Sequence, residues 1–164
     1  MTSQTPVLHL LCGKIASGKS TLAASLAEIA GTVLIAEDSW LSLLFSEEIT
    51  SLQDYVRYST RLRSVVKPHV EGLLRAGASV VLDFPANTVE TRQWMRELVA
   101  STATPHQLHL LDIPDEVCLE RLRQRNSDGK HPFQVTEAQF HQVTKHFTPP
   151  IEAEGFNVVR HRPD

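Results

Sequence analysis

The chain has 164 residues, 41% of them hydrophobic and 21% charged, with a formal net charge of −3. That length supports one domain with a sizeable core, and a single domain over residues 1–164 is expected. The slightly acidic balance argues against a general nucleic-acid coat or a membrane-surface protein, and no apolar run approaches a membrane span.

Met1 to Pro6 has neither the charged start nor the apolar run of a signal peptide, so a cytoplasmic protein is expected. The two cysteines, Cys12 and Cys118, fall in a predicted strand and a predicted helix. They read as reduced, buried thiols of a cytosolic protein and not as a disulfide. The eight histidines show no metal-site spacing.

In chain order, Val7 to Cys12 is a short apolar run, suited to a buried parallel strand. Gly13-Lys14-Ile15-Ala16-Ser17-Gly18-Lys19-Ser20 follows it and fits the Walker A pattern G-x-x-x-x-G-K-[ST] at every fixed position. Leu22, Leu26 and Ile29 then recur at helical spacing, and Gly31 supplies a stop. Val33 to Ala36 reads as a second strand and Tyr55 to Ala76 as a long helix with Leu62, Val66, Val70 and Leu73 on one face. Pro68 is a candidate kink in that helix. Ser79 to Asp83 is a third strand, Thr88 opens a helix, and His106 to Asp112 is a fourth strand. A helix from Pro114-Asp115 to about Asn126, another opened by Thr136-Glu137, and a fifth strand over Phe156 to Arg160 complete the pattern. Strands separated by helices predict an α/β fold, a parallel sheet covered on both faces, with ligands at the carboxyl ends of the strands.

The chemistry follows from which residues reach those ends. Glycines at 13 and 18 let the backbone turn tightly around an anion. The amides from about Ala16 to Ser20, running on to Thr21, point at a β-phosphate, where the helix dipole adds attraction. Lys19 reaches the β- and γ-phosphates, and the Ser20 hydroxyl suits Mg²⁺. The second strand delivers Asp38, the candidate general base for an acceptor hydroxyl, with capping of a helix begun by Ser39 as its other reading and Glu37 as the carboxylate able to replace it. The third strand delivers Asp83, patterned like a Walker B carboxylate and so a candidate for Mg²⁺ or the acceptor. Asp112 reads as a turn residue.

Arg121 and Arg125 are four apart and share a helix face. They precede a polar stretch, Asn126 to Pro132, that suits a lid hinged at Gly129 and closing over ATP. A solvated helix face is the other reading of the pair. Arg57 and Arg61, again four apart, are candidates to bind the acceptor, as is Trp40. ATP and Mg²⁺ are the cofactors these residues imply.

The runs Gly13 to Thr21, Ala36 to Leu41, Val80 to Phe84, Leu111 to Asn126 and Phe147 to Pro150 resemble the bacterial P-loop kinases of the AAA_33 type, over nearly the whole chain from Val7 to about Arg160. The wider group includes zeta toxin, chloramphenicol phosphotransferase and the polynucleotide kinase domain. The resemblance implies a three-layer P-loop kinase core, a five-stranded parallel sheet of order 2-3-1-4-5, and a lid after the fourth strand. It also implies that Asp38 activates the acceptor hydroxyl and that Arg121 and Arg125 face ATP. Nothing resembles the second domain or sensor motifs of AAA machines. The chain departs from many relatives after the third-strand aspartate, where it has Phe84-Pro85-Ala86-Asn87 in place of a small residue or glycine.

The function expected is an ATP-dependent phosphotransferase acting on a hydroxyl of a small molecule, metabolite or antibiotic, in a monomer or homodimer. A polynucleotide or nucleoside kinase is the alternative enzyme. A nucleotide-dependent ATPase switch, needing no acceptor pocket and no base at Asp38, is the alternative of another class. Fold alone does not choose among them.

Overall fold

The computed structural model describes residues 4–130 and 134–163. Five strands form one parallel sheet in the order β2-β3-β1-β4-β5. They are β1 (Leu8–Gly13), β2 (Thr32–Ala36), β3 (Ser79–Pro85), β4 (His106–Leu111) and β5 (Val158–His161). The connecting helices are α1 (Lys19–Ala27), α2 (Glu37–Phe45), α3 (Leu52–Arg75), α4 (Val89–Thr102), α5 (Asp115–Asp128) and α6 (Glu137–Thr144).

β1 is buried along its whole length, which is why apolar residues occupy both of its faces, with His9 as a buried polar exception. Its side chains still divide between two faces with the period of two that a strand imposes. Leu8, Leu10 and Cys12 join Val80, Leu82 and Phe84 in a core covered by α3 and α4 through Leu62, Val66, Val70, Leu74, Met95 and Leu98. On the other face Leu11 and Val81 pack on Ala23 of α1. Leu111, Cys118, Leu122 and Phe140 form a third cluster where α5 and α6 meet the sheet. Helices thus lie on both faces, the three-layer α/β arrangement expected. Cys12 and Cys118 are both free and buried, in different clusters.

The caps explain several boundaries. Ser51 accepts from the Asp54 N–H at 3.1 Å and starts α3 three residues earlier than hydrophobic periodicity suggested. That helix continues through Pro68 to Arg75, because the Leu62, Val66, Val70, Leu74 stripe is buried on both sides of the proline. Thr88 and Thr136 cap α4 and α6, the latter in a reciprocal capping box with Gln139. β3 runs two residues beyond Asp83, to Pro85. No helix among the described residues is long and apolar enough to cross a membrane.

Candidate active site at the strand ends

β1 ends in the phosphate loop, and the loop's shape follows from its small residues. Ala16 and Gly18 have left-handed φ values of 61° and 101°, the handedness that turns successive amides toward a shared concavity. A Cβ on Gly13 would stand 2.5 Å from Ser17 Oγ and 3.1 Å from Leu111 Cβ, so only glycine permits this approach. Ser17 is buried and its hydroxyl has no hydrogen-bond partner. Gly18 is the N-cap of α1, and no side chain caps that helix. Its N-terminal amides are therefore left to an anion.

Lys19 folds back over the loop, its ammonium donating to Gly13 O at 2.7 Å and Lys14 O at 2.9 Å. Burial lowers its pKa, and the nearby charges of Asp83 and Asp38 act against that shift. Beside it the Ser20 hydroxyl donates to Asp83 Oδ2 at 3.3 Å. A hydroxyl next to a carboxylate is a hard-oxygen pair that suits Mg²⁺. Among the described residues no group of three His, Cys, Asp or Glu could hold a metal alone. A magnesium ion here would take its remaining ligands from water and phosphate, as is usual for it.

Lys14, inside the motif, serves the scaffold. Its ammonium pairs with Asp115 Oδ1 at 2.5 Å at the start of α5 and sits 5.8 Å from the centre of the Phe147 ring. Six residues further along α5, Arg121 Nη1 donates to Ser17 O at 3.1 Å. α5 is thus strapped to the loop at two points. Arg125 is one turn further, half-buried. Burial lowers its pKa while the Asp38 charge opposes the change, so Arg125 and Asp38 act on each other across the mouth of the loop. An open cavity of about 480 Å³ lies along this face of α5, lined by Val117, Arg121, Gln124 and Arg125 and by Lys130 beyond the helix.

The expected lid takes a different form at its start. α5 extends to Asp128, and Gly129, at φ 64°, ends it as a left-handed C-cap. Asn126 Nδ2 donates to Val135 O at 2.7 Å and Arg123 pairs with Glu137, so the two ends of the segment are tied together. His131 and Pro132, which complete the lid expectation, lie outside the described residues.

The other rim is built by β2 and α2. α2 begins at Glu37, with Ala36 as its N-cap and no side-chain cap, so Asp38 lies in the first turn. This corrects the capping alternative: the strand passes into the helix without a loop, and Asp38 comes too late to cap it. Its carboxylate sits at the positive end of the helix dipole. Glu37, one residue earlier, points inward and is 1% exposed. It accepts a hydrogen bond from the Tyr55 hydroxyl and lies 3.7 Å from Arg63 Nη2. Burial, helped by the charges of Asp38 and Asp83, pushes its pKa up to about 7 against the opposing pull of Tyr55 and Arg63. Arg57 and Arg61 stay on the exposed side of α3, each about 5.5 Å from the Tyr58 ring (5.6 and 5.5 Å). Trp40 is half-buried against the main core, and Thr21 is exposed on α1.

Two contributors carried no site assignment from the sequence, although Arg63 stands in the same basic run of α3 as Arg57 and Arg61, and Asn87 in the run after Asp83. Arg63, not Arg57 or Arg61, reaches the carboxylate at the end of β2. Its signal was the four-residue spacing of Tyr55, Ser59 and Arg63 beside the apolar stripe of α3. Asn87 donates to and accepts from Gly13, at 2.8 and 2.9 Å. It stood in the run noted as a departure, without a role.

A parallel sheet of order 2-3-1-4-5 with a phosphate loop after its central strand is the P-loop kinase-like nucleotide-binding fold. The chain belongs to the AAA_33 family, described as an AAA domain, whose family model matches residues 8–150. No curated protein matches it in sequence. Solved structures share the architecture. A candidate kinase from Chloroflexus aurantiacus J-10-fl superposes with a TM-score of 0.76 at 21% identity, covering 97% of this chain and 89% of that one. The Mycobacterium tuberculosis APS kinase CysC, in complex with AMPPNP and APS, gives 0.63 at 20% identity, over 98% and 90%. Kti12 of Chaetomium thermophilum, in complex with ADP-AlF3, gives 0.71 at 15% identity, over 97% and 90%. At these identities the likeness is one of fold.

Proposed function

We propose that the protein is a single-domain, ATP-dependent phosphotransferase that moves the γ-phosphate of ATP to a hydroxyl of a small molecule. One observation carries this reading. A carboxylate in the first turn of α2, Asp38, lies close enough to cationic groups of the phosphate loop and of α5, Lys19 and Arg125, for its charge to oppose the effect of burial on both. A nucleotide switch needs no acceptor-side base, whereas phosphoryl transfer to a hydroxyl uses one.

The loop amides and Lys19 hold the phosphates in this reading. Ser20 and Asp83 would hold Mg²⁺, which would supply charge neutralisation to the phosphates when bound. Asp38 takes the acceptor proton as the acceptor oxygen bonds to γ-phosphorus. The bond from γ-phosphorus to the bridging oxygen breaks, and ADP leaves with that electron pair. Arg121 and Arg125 meet the charge that spreads over the transferring group. The structures solved with AMPPNP and with ADP-AlF3 support nucleotide binding by this fold.

Asp38→Asn keeps the side-chain shape and removes the base. Acceptor phosphorylation should fall by about 10²-fold or more with ATP affinity nearly unchanged. The acceptor should come from an ATP-consumption screen of the purified protein against sugars, nucleosides, short oligonucleotides and hydroxyl-bearing antibiotics. Wild-type transfer rates in Asp38→Asn would remove the base assignment. ATP hydrolysis indifferent to every acceptor would favour the switch, and phosphorylation of oligonucleotide ends alone would favour a polynucleotide kinase.

A further inference from the structure

The departure after Asp83 turns out to meet the phosphate loop. Pro85 has no N–H to give to a ladder. The β1–β3 register shifts between Leu10 and Leu11, so that Leu11 lies opposite Pro85. Pairing persists for one more bond, from the Ala86 N–H to Leu11 O at 3.1 Å. The next residue of β1 to face β3 is Gly13, where the loop opens, and here a side chain replaces the strand. The Gly13 N–H donates to Asn87 Oδ1 at 2.9 Å, and Asn87 Nδ2 donates to Gly13 O at 2.8 Å. A carboxamide carries one acceptor and one donor side by side, the pair a strand residue would have offered.

Asn87 is itself held on both sides. Its carbonyl accepts from the Thr148 N–H at 2.9 Å. Arg92, with no exposed surface, donates to Ala86 O at 3.0 Å and Thr148 O at 2.6 Å and pairs with Glu154 at 2.7 Å. The residue before Asn87 and the residue bonded to it are therefore fixed by one buried guanidinium, a fork well suited to several acceptors at once.

Gly13 O matters because Lys19 uses it too. The lysine ammonium has three donors, and two of them now go to Gly13 O and Lys14 O. The third donor is left for phosphate, and a second bond turned toward phosphate, as contact with both the β- and γ-phosphates would need, is taken from a loop carbonyl. Asn87 Nδ2 keeps the Gly13 carbonyl bonded through that exchange, and Asn87 Oδ1 keeps the loop's first amide from turning away. We propose that Asn87 is a positioning residue of the phosphate loop: its carboxamide, braced by Arg92, holds Gly13 in place while Lys19 exchanges loop carbonyl for nucleotide phosphate. The inference rests on the nucleotide reading above.

The test combines ATP titration calorimetry and thermal melting of the wild type, Asn87→Ala and Asn87→Asp with amide exchange at Gly13 in the wild type. Asn87→Ala should bind ATP roughly tenfold more weakly, the scale of one or two lost hydrogen bonds. Asn87→Asp should bind it more weakly still, because a carboxylate keeps the acceptor, loses the donor to Gly13 O and competes with phosphate for Lys19. A scaffold role alone would instead make ATP affinity follow melting temperature, and that outcome overturns the proposal. So does unchanged affinity in both variants. Should a variant not fold, wild-type exchange decides. The Gly13 amide should stay protected with and without a nonhydrolysable ATP analogue, and loss of protection on binding would overturn the clasp. A wild type that binds no nucleoside triphosphate would remove the underlying reading, whatever the variants do.

Discussion

The two rims of the strand ends are built from different material. On the β1 and α5 side the anion-facing groups are mostly backbone amides, shaped by Ala16, Gly18 and a helix start with no side-chain cap. On the β2 and α3 side the polar groups are side chains, Glu37, Asp38, Tyr55 and Arg63, brought together from two helices. A backbone cradle suits any polyphosphate and varies little with sequence. A side-chain cluster varies with each substitution. Under the proposed function the first rim is where the shared nucleotide would fit, and the second is where one protein would differ from its relatives in acceptor.

The sharpest way to break this comparison is Lys19→Ala. Lys19 contacts the loop carbonyls and also feels Asp38 and Asp83 across the site. Its loss should lower turnover by about 10³-fold and weaken ATP binding, in line with charged phosphoryl contacts elsewhere. Isothermal titration with ATP and a coupled turnover assay measure both. If affinity and turnover survive, the loop is not a nucleotide site and the contrast between the rims loses its basis.

Arg125→Ala probes the seam between them. Arg125 belongs to the α5 side, yet the charge that offsets its burial is Asp38 on the other. The variant should reduce the chemical step by about 10²-fold and ATP affinity by much less, because the charge it meets develops late. Single-turnover kinetics separates the two. Equal loss in both parameters would make Arg125 an ordinary ground-state phosphate ligand, confined to the α5 rim.

How much of this could be read from the chain follows the same division. The phosphate loop was legible because its eight residues are contiguous and its geometry is local. The strand order matches the resemblance, and apolar runs located all five strands to within two residues at either end. Asp38 stood out because a strand end precedes it. Its place inside α2, not at the cap, depends on β2 passing into a helix with no intervening residue, which hydrophobic spacing does not reveal. The Glu37–Tyr55–Arg63 cluster was not legible, because residues 18 and 26 positions apart meet only once α3 packs on the sheet. Asn87 was visible as an oddity. Its purpose needed the register shift at Pro85, a property of two strands together.

The smallest effect concerns pH and tests whether the buried chemistry of the β2 rim is independent of the opposite edge. Glu37 has its pKa raised to about 7, from an ordinary 4.5. Between those values the folded state keeps a proton that the unfolded chain releases, so this group's contribution is present below pH 4.5 and is lost as pH rises to 7. On the β4 and β5 side the imidazoles of His9, His109 and His161 are joined by hydrogen bonds of 3.0 and 2.9 Å. Burial, with His9 and His161 beside it, pushes His109 down from 6.5 to about 4. There the unfolded chain binds the extra proton, so stability is present above pH 6.5 and is lost as pH falls to 4. The two slopes oppose each other across the overlap of the windows, pH 4.5 to 6.5. Glu37→Gln removes one of them. Its melting temperature should rise with pH through that overlap, more steeply than the wild type by up to about 3 °C per pH unit, the scale of one proton in a chain of this size. His109→Gln should tilt the profile the other way. Circular-dichroism melts at several pH values would show it. A Glu37→Gln profile parallel to the wild type would mean that Glu37 is ionised throughout, held so by Arg63, and that the β2 rim presents two fixed negative charges to its acceptor in place of one.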